Sequence, residues 1–461
     1  MKIQRFEVPG LAQYSYVVSA DGKAAVIDAI RDIDCYTLYA ASQELKITHV
    51  TETHIHADFA SGSTALAHTT GAELALSGYD VGEHYRYAMP HRSLREGDTI
   101  EVGSVRIEAL HTPGHTPEHL SFLVFDAPKS KTEPVALLSG DFLFVGSLGR
   151  PDLLGEEAKQ GLAHELYRSL HERIAKLPDG IQVFPGHGAG SLCGAGMSER
   201  AESTLGYERA TNSLFRLNER EFVAEILASV PPMPDYYPRM KQLNSAGAPI
   251  LSGIPGGKAL SVAEMAEYAQ QQDVVVVDLR RPEAFGGAHI PGAINIGAGQ
   301  NLSLWAGWLL DSAKKIALIN DSGEDEASRR ALIRVGLDNI EGFLAKGMPS
   351  WIETGLPFAR TTQLSTDEVK EHTPDCIILD VRSDKEWQGG HIAGAQHVML
   401  GDLVRKLDLV QRGQAITTVC GSGYRSSIAV SLLAQRGYSD LSSMDGGMSA
   451  WNKRKLPTTR D

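Results

Sequence analysis

His54, His56 and Asp58 are the residues of this chain with the clearest potential for chemistry. They fall within five residues of one another and follow the apolar, β-branched run 47–51. Imidazole and carboxylate groups are common ligands of first-row transition metals, and close spacing lets one loop present several of them to a single point. The segment therefore predicts a metal site at the end of a buried strand. Phe59, the residue after Asp58, cannot bind a metal.

Three further residues of the same kind, His115, Asp141 and His187, follow predicted strands later in the first half of the chain. When strand ends share one edge of a sheet, such residues can converge on one site. The apolar pattern predicts strands at 14–19, 24–28, 47–51, 105–110, 120–125, 135–138 and 181–184, and helices over 34–45 and 158–177.

The composition fits a soluble protein of several domains. A chain of 461 residues is too long for one core, and its 42% hydrophobic and 22% charged residues are ordinary for globular proteins. A formal net charge of −13 argues against nucleic acid as the main partner, because phosphate binding needs a basic surface. The N-terminus lacks the apolar core of a secretory signal, and no apolar run reaches the length of a membrane span. We therefore expect a cytoplasmic protein with no membrane partner.

The second half of the chain contains an internal repeat. The sequence Asp278-Leu279-Arg280, followed by His289-Ile290, returns as Asp380-Val381-Arg382, followed by His391-Ile392. The repeat predicts two copies of one α/β domain, at 258–360 and 361–461, each of a size typical for a small domain. Residues 1–230 form a separate predicted domain. Residues 231–257 are dense in Pro and Gly and predict a linker that is extended and packed through its aromatic residues.

The first predicted domain resembles the metallo-β-lactamase superfamily. The resemblance rests on the metal-binding motif positions of that superfamily, which here are His54, His56, Asp58, His115, Asp141 and His187. It implies an αββα sandwich with the metal at one edge. In two-metal members a histidine stands where this chain has Phe59, and it binds the second metal together with residues matching Asp58 and His187. Because Phe59 removes one of these ligands, we expect one metal ion in each chain.

The stretch 140–152 of the same domain is similar to the persulfide dioxygenases of that superfamily. The similarity implies that His54, His115 and Asp141 bind Fe(II). Two imidazoles and one carboxylate with open positions left over are typical of non-haem iron enzymes that use O₂. The remaining motif residues would orient the ligands or water. They are His56, Asp58 and His187.

Three residues of the first domain are candidates for contact with substrate. The same similarity implies that Arg150 lies near the substrate and is held by Asp152, since a guanidinium suits the carboxylate of a thiol cofactor. An ordinary salt bridge is the alternative for Arg150. Cys193, in a Gly-rich loop after His187, would give or take sulfane sulfur, or would be a small buried residue. The sequence leaves both alternatives open.

Cys420 begins a second candidate site. It follows the apolar run 416–419 and precedes a predicted helix over 428–436, and Arg425 lies five residues after it. Backbone N–H groups, a helix N-terminus and a guanidinium together favour a reactive thiolate, and they also suit an oxyanion such as sulfite or thiosulfate. The loop residues offered to such a substrate are Gly421, Ser422, Gly423 and Tyr424.

This loop, together with the motifs of 380–392, resembles the rhodanese family. The resemblance implies that Cys420 carries a persulfide and that Arg425 assists it. A phosphatase loop would place arginine one position later, where this chain has Ser426. The first copy resembles rhodanese too, but its loop region 319–326 contains acidic residues and no cysteine. We therefore expect the first copy to be a non-catalytic spacer or docking domain.

Together these resemblances predict a persulfide dioxygenase fused to a rhodanese, with a role in sulfide detoxification. Its partners would be a glutathione or coenzyme A persulfide, O₂, and sulfite or thiosulfate. The first rival function is a glyoxalase-II-like thioester hydrolase with Zn(II). The second rival is a relay that passes sulfur to an acceptor protein through Cys420. A homo-oligomer remains open.

Overall fold

The computed structural model describes residues 1–321, 325–372 and 376–460. The chain divides into two compact units. The first comprises Met1–Ser252 and the short segment Ile333–Gly336, and the second comprises Gly253–Leu332 and Leu337–Asp461. The middle of the acidic loop of the first rhodanese-like copy, residues 322–324, lies outside the described residues. Among the described residues, no helix is both long and apolar enough to cross a membrane.

The first unit contains two six-stranded sheets. The first sheet consists, in spatial order, of β1 (Lys2–Val8), β2 (Gln13–Ala20), β3 (Lys23–Ile27), β4 (Lys46–Thr51), β5 (Glu73–Ser77) and β6 (Arg92–Leu94). The second consists of β7 (Thr99–Val102), β8 (Val105–His111), β9 (Leu120–Asp126), β10 (Ala136–Gly140), β11 (Gln182–Pro185) and β12 (Ser203–Thr204). Pairing is parallel from β3 to β6 and between β10 and β11, and antiparallel elsewhere.

The strand β9 shows why the two sheets pack face to face. Its alternate residues Phe122 and Val124 join a core with Tyr16 and Ile27 of the first sheet. The other alternate residues, Leu123 and Phe125, join a second core with the helices that cover the second sheet. Successive side chains of a strand point to opposite faces, so an apolar strand of this kind is buried on both sides. The predicted αββα sandwich is confirmed.

Six helices accompany the sheets of the first unit. They are α1 (Asp34–Ser42), α2 (Ser63–Thr70), α3 (Glu156–Arg168), α4 (Leu205–Thr211), α5 (Glu219–Ala228) and α6 (Tyr237–Ala246). The helix predicted over 158–177 is shorter than expected, because a π-helical turn at Ser169–Arg173 replaces its second half. The expectation of an extended linker over 231–257 is wrong for α6. Pro238 occupies the first turn of this helix, where its missing N–H costs nothing, and Gly247 follows its end.

The second unit contains two five-stranded parallel sheets of the same topology. In spatial order they are β13 (Ala259–Leu260), β17 (Ile340–Leu344), β16 (Lys315–Ile319), β14 (Val274–Asp278) and β15 (Ile294–Asn295), then β18 (Thr362–Leu364), β22 (Leu441–Met444), β21 (Ile416–Val419), β19 (Ile377–Asp380) and β20 (Gln396–His397). Their helices are α7 (Val262–Gln270), α8 (Pro282–Gly287), α9 (Leu302–Leu309), α10 (Glu326–Ile333), α11 (Gly347–Glu353), α12 (Thr366–His372), α13 (Asp384–Gln388), α14 (Tyr424–Gln435) and α15 (Gly447–Lys453).

The repeated sequence motifs have a structural cause. Arg280 is buried, binds Asp278 through two nitrogens and donates to a backbone carbonyl at residue 288. Arg382 does the same with Asp380 and the carbonyl of Gly390. A buried guanidinium needs this full set of partners, so the spacing recurs in both copies. The predicted pair of rhodanese-like α/β domains is confirmed.

Gly114 provides a test of how tightly the loop before His115 is packed. A Cβ at Gly114 would lie 2.5 Å from Cα of Leu166 in α3, and the φ angle is +143°. We predict that Gly114→Ala lowers the free energy of unfolding by ~3 kcal/mol, because overpacking and backbone strain add. Gly146→Ala is the control, since Gly146 also has a positive φ but open space around it. Equal urea midpoints for the two variants would contradict the prediction.

Candidate metal centre and thiol loop

Five residues of the metal-binding motifs, three predicted ligands and two predicted orienting residues, come from the ends of four strands in two different sheets. His54 and His56 follow β4 of the first sheet, and His115, Asp141 and His187 follow β8, β10 and β11 of the second. The edges are joined by backbone hydrogen bonds, including one of 2.7 Å from residue 120 to the carbonyl of residue 53. The structure therefore brings all five side chains to one end of the sandwich.

His54, His115 and Asp141 converge on one point. Oδ2 of Asp141 lies 4.0 Å from Nε2 of His54 and 3.5 Å from Nε2 of His115. All three side chains are fully buried, and among the described residues none of these three atoms has a hydrogen-bond partner. Buried polar atoms are costly unless they are paired. Three such atoms, all within 4.8 Å of one another, are a donor set that fits a metal ion.

The other nitrogen of each histidine is held by a hydrogen bond that fixes the ring. The hydroxyl of Thr53 donates to Asp28 and lies 2.9 Å from Nδ1 of His54, so it accepts the proton of that nitrogen. Nδ1 of His115 donates to the backbone carbonyl of Arg150 at 2.8 Å. Burial holds the pKa of both imidazoles well below its ordinary value. Both rings are therefore neutral and turn Nε2 toward the common point.

The other oxygen of Asp141 is held by His187. Nδ1 of His187 lies 2.7 Å from Oδ1 of Asp141, and Nε2 lies 2.7 Å from Oδ2 of Asp58. Burial opposes protonation of His187, but the charges of the two carboxylates outweigh it and raise its pKa well above the usual value. His187 thus links Asp58 to Asp141 through hydrogen bonds. This contact matches the predicted orienting role, which stays a prediction.

His56 is held by Asp28 and Phe59 and does not belong to the group of three converging donors. Its Nε2 lies 3.0 Å from Oδ1 of Asp28, and its ring packs against Phe59 with centroids 4.4 Å apart. Its Nδ1 has no hydrogen-bond partner in the described part of the chain, yet His56 is not in the group whose ligand atoms lie within 4.8 Å of one another. Phe59 is fully buried beside it. The apolar ring of Phe59 therefore occupies the position at which two-metal members of the superfamily would have a histidine ligand.

Sequence reasoning missed two residues of this centre. Asp28 directly follows β3 with a φ of +58° and holds both Thr53 and His56. Its place at a strand end was a usable signal. The ring of His119 stacks on His54 with centroids 5.2 Å apart, and its Nε2 accepts from the backbone N–H of Asp141. No local pattern marks His119.

The predicted substrate-contact residues lie in two loops, which are joined by a backbone hydrogen bond of 2.9 Å from Arg150 to the carbonyl of Cys193. Arg150 binds Asp152 through two hydrogen bonds of 2.7 and 2.8 Å, as expected, and donates at 3.0 Å to the carbonyl of Leu192. Its guanidinium is therefore engaged by the protein, and contact with substrate stays a prediction. Cys193 is buried with its ligand atom near those of Asp58 and His187. Burial and the neighbouring carboxylates raise its pKa well above the usual value, so Cys193 is a neutral thiol.

The thiol loop joins β21 to α14, which begins at Tyr424 rather than at 428 as predicted. Cys420 is buried, and the backbone N–H of Gly423 donates to its Sγ at 3.1 Å. Gly423 has a φ of +103°, which favours glycine and turns the loop into the helix. The backbone of the loop is held from behind by hydrogen bonds from residues 448 and 449 of α15 to the carbonyls of Cys420 and Gly421.

The guanidinium of Arg425 is paired with a carboxylate. Its positive charge, which was expected to favour the thiolate of Cys420, is therefore partly balanced. The guanidinium binds Glu386 through two hydrogen bonds of 2.7 Å. Partial burial opposes ionisation of Glu386, but the bonds and charge of Arg425 outweigh it and lower the pKa to about 2. The pair is therefore ionised at neutral pH, and Arg425 is fixed in place beside the loop.

The cysteine-free copy contacts the helix that follows the thiol loop. The hydroxyl of Tyr424 donates to the carbonyl of Gly297 at 2.8 Å, so this side chain is turned toward the neighbouring domain. Asn295 accepts from the hydroxyl of Ser427 at 2.5 Å, and its backbone N–H donates to Ser431 at 3.2 Å. These contacts brace α14 and are more than a spacer would supply.

Comparisons with known proteins match both halves of the chain. The profile of the metallo-beta-lactamase superfamily matches residues 8–187, and that of the rhodanese-like domain matches residues 261–354 and 365–454. A hydroxyacylglutathione hydrolase of Polaromonas sp. is 30% identical over 247 residues, which are 48% of this chain and 88% of the relative. The mitochondrial persulfide dioxygenase ETHE1 of Bos taurus is also 30% identical, over 183 residues, which are 39% of this chain and 61% of the relative.

A solved structure resembles a larger part of the chain. The crystal structure of a metallo-beta-lactamase from Staphylococcus aureus subsp. aureus COL is 36% identical with a TM-score of 0.67, and the match covers 75% of this chain and 99% of that one. The matched families indicate an enzyme that binds a metal. Because a hydrolase and a dioxygenase reach the same identity, overall similarity does not select between their reactions.

We predict that removing a converging donor abolishes metal binding, whereas removing His56 only weakens it. Asp141→Asn is expected to leave less than a tenth of the bound metal after dialysis against a chelator. His56→Ala is expected to lower metal affinity about 10–100-fold, the usual cost of losing an orienting partner. Metal content by mass spectrometry measures both. If the two variants lose metal equally, His56 is itself a ligand and the donor set is larger than three.

Proposed function

We propose that this chain, which belongs to the metallo-β-lactamase superfamily and ends in two rhodanese-like domains, is a persulfide dioxygenase joined to a sulfurtransferase. The first domain would bind Fe(II) through His54, His115 and Asp141 and oxidise a thiol persulfide of the glutathione or coenzyme A type with O₂. The last domain would transfer sulfane sulfur through Cys420. The observation that carries this proposal is the group of three converging, unpartnered buried donors.

The chemistry of the donor set supports iron. Two neutral imidazoles and one carboxylate on one side of a metal are the pattern of non-haem Fe(II) enzymes, which keep open positions for substrate and O₂. Structural zinc sites are usually closed and tetrahedral, and hydrolytic sites often use a second metal. The position beside Asp58 that would serve a second metal holds Phe59, which is fully buried and packed on His56.

The net reaction balances without an organic cofactor. A persulfide RSSH, O₂ and H₂O give the thiol RSH, sulfite and two protons, so that the outer sulfur is oxidised and O₂ is reduced. Fe(II) would supply the means of bringing O₂ and the persulfide sulfur together. The protein's part is to keep His54 and His115 neutral and oriented through Thr53 and Arg150, and to keep Asp141 in place through His187.

The thiol loop supports a sulfur transfer that shares sulfite with the first domain. The thiolate of Cys420 would attack the outer sulfur of thiosulfate, break its S–S bond and release sulfite, leaving a cysteine persulfide. The N–H of Gly423 already faces Sγ, so it would stabilise the charge on sulfur. A free thiol would then accept the sulfane sulfur as a persulfide. Read in reverse, the same two steps consume sulfite.

A zinc thioester hydrolase is the second candidate, because the hydroxyacylglutathione hydrolase of Polaromonas sp. matches this chain over 88% of its own length. That function would act on a similar thiol conjugate. It is disfavoured by Phe59, since the second metal would lose a ligand. One bound zinc, together with thioester cleavage that needs no O₂, is the result that would establish it.

Turnover of a persulfide tests the dioxygenase part of the proposal. Protein loaded with Fe(II) and given glutathione persulfide or coenzyme A persulfide is expected to consume one O₂ for each sulfite formed, as measured by an oxygen electrode and sulfite assay. Asp141→Asn is the negative control. Absence of persulfide-dependent O₂ uptake in a fully iron-loaded sample would overturn the dioxygenase part of the proposal.

The second prediction concerns Phe59. Because Asp58 and His187 are already linked beside it, Phe59→His is expected to raise metal binding from one ion to two per chain in the presence of zinc. Phe59→Leu, which keeps an apolar residue, serves as the control and should stay at one. Two ions in the unaltered protein would show that Phe59 does not decide the stoichiometry.

The third prediction separates the two activities. Cys420→Ser is expected to lower sulfur transfer from thiosulfate to a thiol by at least a hundredfold, because a hydroxyl cannot carry a persulfide. O₂ consumption with added persulfide should stay within a factor of two of the unaltered protein. A relay function without oxygenase activity predicts instead that neither protein consumes O₂, while an acceptor protein is loaded only when Cys420 is present.

A further inference from the structure

The loop that carries His54 and His56 is unusual in being both buried and irregular. Every residue from 51 to 60 is buried, and from 52 to 60 the backbone forms neither helix nor strand. Buried backbone N–H and C=O groups need partners, and a loop without regular structure cannot supply them from within. The partners of this loop must therefore come from other elements of the first unit.

Helix α6, together with the residue before it, binds four backbone carbonyls of this loop. The side-chain amide of Asn244 donates to the carbonyls of His56 and Phe59 at 2.8 and 2.7 Å, and its oxygen accepts from the N–H of Ser61 at 2.8 Å. The hydroxyl of Tyr236 donates to the carbonyl of Asp58 at 3.0 Å. Asn244 is buried, so these hydrogen bonds to the loop are shielded from water.

Lys241 holds the peptide that lies between the two histidines. Its Nζ donates to the carbonyl of Ile55 at 2.8 Å, while Glu118 accepts from the N–H of Ile55 at 2.9 Å. Nζ and the same carboxylate oxygen lie 4.0 Å apart, and both side chains are almost fully buried. A buried ion pair is weak evidence for stability, because its desolvation cost is high. Its place on either side of Ile55 points to control of backbone position.

We infer that α6 is a built part of the metal centre, and that Tyr236, Lys241 and Asn244 are positioning residues for the loop that carries His54. A metal site needs its ligands held within about 0.5 Å of their working geometry. Five polar backbone groups between residues 55 and 61 are held by these three side chains. The inference concerns the metal site of the proposed function, but it holds for any metal and any reaction at that site.

The experiment compares full-length variants by their affinity for Co(II), read from the visible absorption of the bound ion and from competition with a chelator. Asn244→Asp keeps the shape and the acceptor oxygen, but it replaces the NH₂ group, which donates to two carbonyls, by a carboxylate oxygen that faces those carbonyls. It is expected to lower Co(II) affinity about 10–100-fold, as the loss of an orienting partner usually does, and to change the absorption spectrum. Lys241→Met and Tyr236→Phe should give smaller losses in the same direction.

The matched control is Asn212→Ala. Asn212 is also a buried asparagine of the first unit, but its side chain caps a turn at residue 214 and does not touch the metal loop. It is expected to lower the melting temperature without changing Co(II) affinity or spectrum. Tyr236→Phe removes a single hydroxyl, so it keeps the test informative if Asn244→Asp does not fold.

Unchanged Co(II) affinity and spectrum in folded Asn244→Asp, Lys241→Met and Tyr236→Phe would overturn the inference. Equal loss in those variants and in Asn212→Ala would overturn it too, since the effect would then be general destabilisation. Failure of the proposed function has a different signature. In that case the unaltered protein shows no persulfide-dependent O₂ uptake, while the difference in Co(II) affinity between Asn244→Asp and Asn212→Ala persists.

Discussion

The metal centre depends on one constraint: each converging donor atom belongs to a side chain whose other polar atom is already bound. Thr53 holds His54, the carbonyl of Arg150 holds His115, and His187 holds Asp141. These contacts fix which nitrogen or oxygen faces the common point before any metal arrives. The two sheets supply the strand ends, but the hydrogen bonds decide the orientation. Loss of a partner would turn a preorganised site into a set of mobile ligands.

The sequence could predict the features that depend on neighbours along the chain. His54, His115 and Asp141 follow strands with clear apolar patterns, so their convergence was predictable once the sheets were expected to share an edge. His119 was not, because its contact with His54 arises only from the way β4 and β9 meet. Helix α6 was missed for a different reason. The Pro and Gly residues around it predicted an extended chain. The polar residues on its buried face have their partners in the metal loop, which is distant in sequence, so no local pattern could reveal the helix.

The two rhodanese-like copies show how one fold serves two purposes. The buried Asp–Arg pairs at 278–280 and 380–382 are the same in both, and each ties the end of its strand to a backbone carbonyl eight residues after the arginine. Only the last copy has a thiol at the end of its central strand. The first copy contributes Asn295 and the carbonyl of Gly297 to the helix behind that thiol. A domain without the thiol therefore still contacts the helix that follows the thiol loop of its neighbour.

Helix α6 also changes where the first domain ends. A boundary drawn from composition falls near residue 230, whereas the compact unit extends to Ser252 and includes the helix that holds the metal loop. If this domain is exchanged between proteins during evolution, residues 231–252 must travel with it or the loop loses its buried partners. The stretch that resembles a connector therefore belongs to the compact unit that contains the metal loop. A boundary placed after Ser252 keeps α6 with that loop, although the short segment Ile333–Gly336 of the same unit still lies beyond it.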